Sequence, residues 1–384
     1  MRVLVTSTPG SGHIHPLVPL ATELQAAGHE VLWATAEEAC AQVERYGFRV
    51  TPAGMPGDER RRTFAERAGA QLGALGVRER RAVMLPVMFG EITAPAMQRD
   101  LVSVFDSFQP DVVIHDLVEF AAPPVAAARG IPHATVAFGC ALSSTLIALA
   151  ASSVADLWAN EGLAPSPSAG LYDHLYLHPL PVGFGEPPAT QTAMSIQPMH
   201  FDGAPGSDVP PWVLDFGRDR AGVYVTFGTE MAQLAPWPAV IEALSLVDAD
   251  VVVTLGSQVD PDSLGSAPRN VRLERYVPQS FLLDRASVVA SHAGSGTLFA
   301  SAARGIPQLC IPIAADQWDN ADALRDAGAA ISLELDQRST DDIYTAMTTL
   351  LDSRPHSSAA LTLADAFSAL PHPRHHVGTI EALA

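Results

Sequence analysis

The hexapeptide Ala-Ala-Arg-Gly-Ile-Pro occurs twice, at residues 127–132 and again at 302–307. Each copy follows a Val/Ile-rich run and a helical stretch. Each ends that stretch with glycine and then proline, because glycine tolerates the left-handed turn that closes a helix and proline cannot continue its hydrogen bonding. Alone, the hexapeptide is no more than a shared helix-to-strand loop. Around it, however, short apolar runs alternate with helical patterns along the chain: residues 3–6, 30–34, 112–115 and 134–138 in the first half, then 223–227, 251–255, 287–291 and 308–311 in the second. Strands separated by helices pair in parallel, so the repeat predicts an α/β protein of two Rossmann-like, doubly wound domains in tandem.

The chain of 384 residues is long enough for two cores. Residues 1–200 are expected as the first domain and 212–360 as the second, with a connection dense in proline and glycine over about 178–211. A helix-prone tail, 361–384, is broken by Pro371 and Pro373 and could return over the first domain. Open parallel sheets bind ligands at the carboxyl ends of their strands, so an active site is expected in a cleft between the two halves. The formal charge of −19, from 42 acidic against 23 basic residues, excludes an extended basic surface for nucleic acid or anionic membrane. Cys40, Cys140 and Cys310 lie far apart without metal-ligand spacing and read as reduced packing residues. The N-terminus enters a strand pattern at once, no segment reads as a membrane span, and a cytoplasmic setting is expected.

Residues 288–320 carry the chemistry. An apolar run at 288–291 leads into a turn with His292, Gly294 and Gly296; Thr297 has the chemistry of a helix cap, and a helix follows to Gly305. The exposed N–H groups and positive dipole end of a helix attract anions, and glycines let a phosphate reach the backbone. Near the N-terminus, Gly10 and Gly12 invite a dinucleotide-binding reading, but the fingerprint requires a third glycine where His15 stands, and Glu37 and Glu38 make an unconvincing ribose partner. His13 instead lies in a glycine-flanked loop at a sheet edge, where an imidazole can take up a proton, and Asp116 ends a strand of the same half and could orient it. The simpler alternative is that His13 caps a helix and Asp116 closes a turn. His15 starts a helix, His115 is expected in the core, and His375-His376 reads as solvated surface.

Together, Gly12-His13 with Pro16, Asp116, the run Tyr276-Val277-Pro278-Gln279 and residues 292–320 resemble the nucleotide-sugar-dependent glycosyltransferases of the two-Rossmann type called GT-B. The likeness is closest to bacterial enzymes that glycosylate antibiotics and other natural products, the calicheamicin glycosyltransferases among them, and it runs over nearly the whole chain. It implies that His13 is the catalytic base and Asp116 its orienting acid. It also implies that Tyr276 stacks on the nucleobase, with Val277 and Gln279 beside base and ribose. His292, Gly294, Ser295, Gly296 and Thr297 fall on the pyrophosphate turn, near Gly228 and Thr229, while Asp316 and Gln317 match a pair that binds the donor sugar. Family members using uridine diphosphate sugars commonly carry a ribose-binding glutamate where this chain has Ala300, which favours a deoxythymidine diphosphate (dTDP) sugar.

The reaction so implied is an inverting, metal-independent transfer without a cofactor, from a nucleotide sugar to a hydroxyl of an apolar aglycone such as a polyketide. Asp260 and Asp262 have metal-like spacing but sit in a Pro/Ser loop. Met84, Met88, Phe89, Phe138 and Trp158 are candidate acceptor walls, with ordinary core packing the alternative for each. Both partners are then small molecules, and a homodimer stays open. Alternatives are a uridine-diphosphate-sugar transferase or epimerase of the same fold, or a nucleotide-binding auxiliary partner that lacks catalysis.

Overall fold

The computed structural model describes residues 1–202, 209–228 and 231–384. Thr229 lies outside the described residues. The chain divides into two compact units: one holds Met1–Leu180, Glu186–Phe201 and Leu370–Ala384, the other Pro181–Gly185 and Asp202–Ala369.

The first unit is built on a seven-stranded parallel sheet in the order β3-β2-β1-β4-β5-β6-β7. Its strands are β1 (Arg2–Thr6), β2 (Glu30–Thr35), β3 (Arg49–Pro52), β4 (Val112–Asp116), β5 (His133–Val136), β6 (Leu175–His178) and β7 (Ala193–Ser195). Alternation along the central strands feeds two cores. Leu4, Leu32 and Val113 pack on one face, while Val3, Val5, Trp33, Val112 and Ile114 pack on the other. A strand covered on both faces must be apolar throughout, which is why these runs show no polar alternation. Ile380, near the end of the chain, is fully buried in the second of these cores.

The second unit repeats the plan with six parallel strands in the order β10-β9-β8-β11-β12-β13. These are β8 (Gly222–Thr226), β9 (Asp250–Thr254), β10 (Val271–Glu274), β11 (Val288–Ser291), β12 (Gln308–Cys310) and β13 (Ala330–Ser332). The hexapeptide occupies the same station in both sheets. It joins helix Ala122–Ala128 to β5 and helix Ser295–Ala302 to β12, and its glycine is left-handed each time, Gly130 at φ 65° and Gly305 at φ 69°. In each sheet the strand order reverses once at the centre, between β1 and β4 and between β8 and β11, and loops leaving such a switch point diverge to form a crevice.

Among the described residues, no helix is long and apolar enough to cross a membrane.

Candidate active site

At the first unit's switch point, the loop after β1 and the end of β4 bring Gly12, His13 and Asp116 together. Asp116 is fully buried. Its Oδ2 accepts from the Thr8 N–H at 2.7 Å and the Thr8 hydroxyl at 3.2 Å, and its Oδ1 from the Val118 N–H at 2.7 Å. Burial pushes its pKa up, but His13 and the amides of Thr8 and Val118 outweigh that and hold the carboxyl below its usual range. His13 Nδ1 lies 3.7 Å from Asp116 Oδ1, an ion-pair distance too long for a hydrogen bond, and this buried ring nitrogen has no other partner. The ring is held edge-on by Phe138 and tilted by Phe89, at centroid distances of 5.0 and 5.7 Å. One face of Asp116 is thus fully satisfied, while the imidazole beside it stays partly exposed and able to close the remaining gap.

Directly behind the pair, His115 is core, as its place on β4 required. Its Nδ1 donates to the Asp116 carbonyl at 3.1 Å, and desolvation lowers its pKa to about 4. Next to the pair, and within the same unit, is a small pocket lined by Pro9, Phe89, Met97 and Phe120, with Arg60 and Glu119 on its wall. Phe89 is carried by a π-helical stretch, Leu85–Thr93, a distortion that recurs at functional sites. Of the other expected wall residues, Phe138 flanks His13, and Trp158 is buried in the core. Glu119 accepts from the Thr6 hydroxyl at 2.6 Å and the Ala121 N–H at 2.8 Å. Desolvation nevertheless pushes its carboxyl up to about 7.

The second unit's switch point gathers His292, Gly294, Ser295, Gly296, Asp316 and Gln317. The imidazole of His292 is wedged between two glycines. A Cβ added at Gly228 would lie 2.9 Å from its Cε1, and one at Gly294 would lie 2.4 Å from its Nε2. Desolvation lowers the His292 pKa to about 4 against the opposing pull of Asp316 and the Thr226 carbonyl, so the ring is neutral at physiological pH. Helix Ser295–Ala302 starts at Gly294 with no side-chain cap. Thr297, expected as the cap, sits inside the first turn, and its hydroxyl accepts from Gln279 Nε2 at 2.9 Å. Gly296 has an ordinary φ, and a Cβ there would meet nothing within 4 Å, so protein packing does not explain the glycine.

Two non-glycine residues here are left-handed, Ala293 at φ 62° and Ala315 at φ 58°, adjoining His292 and Asp316. Such backbone persists only where surrounding contacts hold it. Asn320, fully buried, supplies them: its Nδ2 reaches the Ala293 carbonyl at 3.1 Å, Ser295 Oγ at 3.1 Å and Asp316 Oδ2 at 3.0 Å. Ser295 Oγ donates to the same Asp316 oxygen at 2.9 Å. Gln317 Oε1 braces the loop by accepting from the Ile313 and Ala314 N–H groups at 2.7 and 2.9 Å. Tyr276 is 61% exposed, whereas Val277 is buried in a core it shares with Ala300.

A protein-family model described as the N-terminal domain of erythromycin biosynthesis protein CIII-like proteins matches residues 22–152, and the corresponding C-terminal domain matches 238–383. The L-demethylnoviosyl transferase of Streptomyces niveus is 30% identical across 97% of this chain and 96% of its own length. The chain belongs to this family of antibiotic glycosyltransferases. A desosaminyl transferase of Saccharopolyspora erythraea, acting on 3-alpha-mycarosylerythronolide B, is 26% identical over 100% of this chain and 98% of its own. Among solved structures, the glycosyltransferase VinC in complex with dTDP matches with a TM-score of 0.82 at 25% identity, covering 100% of this chain and 99% of that one. The spinosyn rhamnosyltransferase SpnG complexed with thymidine diphosphate matches with a TM-score of 0.80 at 26% identity, covering 99% and 100%. This glycosyltransferase therefore has the GT-B build of two parallel-sheet α/β domains.

Several of its residues carry no sequence motif. Asn320 follows Asp316 by one helical turn, a spacing that could have flagged it, whereas Thr8 and Glu119 become visible only when the β1 and β4 loops meet. The expectation of a solvated His375-His376 holds for His375 but not for His376, which is 2% exposed and has its pKa lowered by burial, because the terminal segment packs into the first unit's core.

Proposed function

We propose that this glycosyltransferase moves a deoxysugar from dTDP to a hydroxyl of an apolar aglycone, with inversion at the anomeric carbon. The observation that carries the reading is the start of helix Ser295–Ala302, which has no side-chain cap and where the side-chain space of Gly296 is empty. A diphosphate satisfies both features. In one displacement the acceptor oxygen bonds to the anomeric carbon, the bond to the diphosphate oxygen breaks, and His13 takes the hydroxyl proton while Asp116 steadies the imidazolium. The leaving group keeps the electron pair. Its charge rests on the helix amides, because His292 is neutral and contributes a hydrogen bond rather than a cation.

In this reading Tyr276 stacks on the base, and Asp316 Oδ1 and the Gln317 amide nitrogen meet sugar hydroxyls, their other atoms being used to brace the loop. Gln279, whose amide nitrogen is held by Thr297, lies beside base and ribose. Phe89 and Phe138, which flank His13, face the acceptor. Ala300, packed against Val277, leaves no carboxylate for a ribose 2′-hydroxyl, and the dTDP bound to VinC and SpnG supports the same donor class. The enzyme is read as cytoplasmic and metal-independent, with residues 1–200 serving the acceptor and 212–360 the donor.

The test is a calorimetric comparison of dTDP with uridine diphosphate, followed by turnover with each sugar series in the presence of a chelator. Tighter binding of dTDP and full activity with chelator are expected. Preference for uridine diphosphate overturns the donor assignment, and binding of neither overturns the function.

A further inference from the structure

Asp202 is the residue at which the chain passes from the first unit into the second. Within the second unit it makes two kinds of contact with Tyr276 and Ser280, on either side of the start of helix Gln279–Leu283. Its carboxylate Oδ2 accepts from the Ser280 N–H at 3.0 Å and from the Ser280 hydroxyl at 2.6 Å. Its main-chain carbonyl accepts from the Tyr276 hydroxyl at 2.8 Å. The side chain thus fastens the Asp202 backbone to Ser280, and that fastened backbone holds the tip of Tyr276.

The loop between these points is anchored elsewhere as well. Val277 is 4% exposed in the core, and Gln279 is tied to Thr297. Tyr276 differs from them, since its ring is largely exposed and gains little from packing. An exposed ring on a loop turns between rotamers unless something holds it, and a ligand that stacks on it must then bear the cost of ordering it. Phenylalanine lacks the atom that reaches the Asp202 carbonyl, and an indole carries its N–H in a different place.

We propose that Asp202 is a positioning residue for nucleotide binding, which closes a ring of hydrogen bonds through Ser280 and Tyr276 and thereby presets the tyrosine face as a platform for the base. The inference rests on the reading of Tyr276 as the base-stacking residue. It goes beyond that reading in assigning a role to the aspartate and to the tyrosine hydroxyl.

The experiment measures dissociation constants of the full-length enzyme for dTDP and for inorganic pyrophosphate, which lacks a base. Tyr276→Ala should weaken dTDP about tenfold or more, as loss of a stacking ring does. Asp202→Ala and Tyr276→Phe should each weaken it about five- to tenfold, the scale of one lost hydrogen bond. The double variant should be no worse than either alone, because both break one ring of bonds. Asp202→Asn should stay within about twofold of wild type, since a single amide oxygen can replace Oδ2. Pyrophosphate affinity should not change in any of them.

Unchanged dTDP binding in Asp202→Ala and Tyr276→Phe, with Tyr276→Ala impaired, overturns the inference and spares the base assignment. Equal weakening of dTDP and pyrophosphate also overturns it, by showing a general structural role. Should Tyr276→Ala bind dTDP normally, the base assignment itself fails. If Asp202→Ala does not fold, Tyr276→Phe decides, since it removes one oxygen from an exposed ring.

Discussion

His13 and His292 each stand at the switch point of a parallel sheet, one after β1 and the other after β11, and their surroundings differ. His13 stands beside a buried carboxylate at 3.7 Å. His292 is pinched between Gly228 and Gly294, and desolvation lowers its pKa to about 4. A ring that must gain and lose a proton needs a counter-charge within reach and some freedom to move. A ring that only shapes a pocket for an anion is better neutral and fixed. Residue type is shared, so the difference in proposed role rests on the neighbours.

The contrast breaks most sharply in turnover. His13→Ala should lower kcat by about 10²- to 10⁴-fold with little change in dTDP affinity, as loss of a general base does. His292→Ala should act mainly on the donor, raising its KM more than it lowers kcat. Similar kcat losses in both, measured by steady-state kinetics with saturating donor, would erase the distinction.

A smaller effect isolates the fixed ring. Gly294→Ala places a methyl 2.4 Å from His292 Nε2 on an otherwise permissive backbone, so the imidazole must shift. Donor KM should rise about tenfold while acceptor KM holds, the scale of a contact displaced by an ångström. An equal rise in both would argue for general disruption of the fold.

The smallest effect is on stability against pH. His115 and His292 have folded-state pKa values near 4, and His133 is also lowered, all chiefly by desolvation. Unfolded histidine titrates near 6.5. Between these values the unfolded chain takes up protons that the folded chain refuses, so stability is lost as pH falls from about 6.5 towards 4, by at most about 1.4 kcal/mol per pH unit for each group. Glu119, raised to about 7, opposes this, because its folded form holds a proton that the unfolded form has released. Three groups against one leave a net loss. Thermal melting should show Tm dropping from pH 6.5 to 4.5, and a flat or rising Tm would contradict the neutral, buried state of these rings.

How far the sequence reveals this molecule follows the same division between local and assembled features. Central strands such as Val3–Val5 and Val223–Val225 are visible because burial on both faces demands uninterrupted apolar runs. The strands β3, β6, β7, β10 and β13 are not legible in the same way. They are short, and Arg49–Pro52 and Ala193–Ser195 contain no fully buried residue, so they carry almost no pattern. The turn from His292 to Gly296 is legible because it is contiguous, and glycine spacing alone signals close approach. The bond from Gln279 to Thr297 is not legible, because it joins two elements that the sequence keeps apart. Asp202 escaped for a like reason: an aspartate in a proline-rich connection looks like solvated linker until Ser280 is beside it.

Gly296→Ala offers the most direct check on the claim that a diphosphate is held at the start of helix Ser295–Ala302. The added methyl meets no protein atom, so Tm should stay equal to or slightly above that of wild type. Calorimetry should then show dTDP binding at least about tenfold weaker, because the methyl occupies the space reserved for a phosphate. Undiminished affinity in a normally folded Gly296→Ala enzyme would contradict the account.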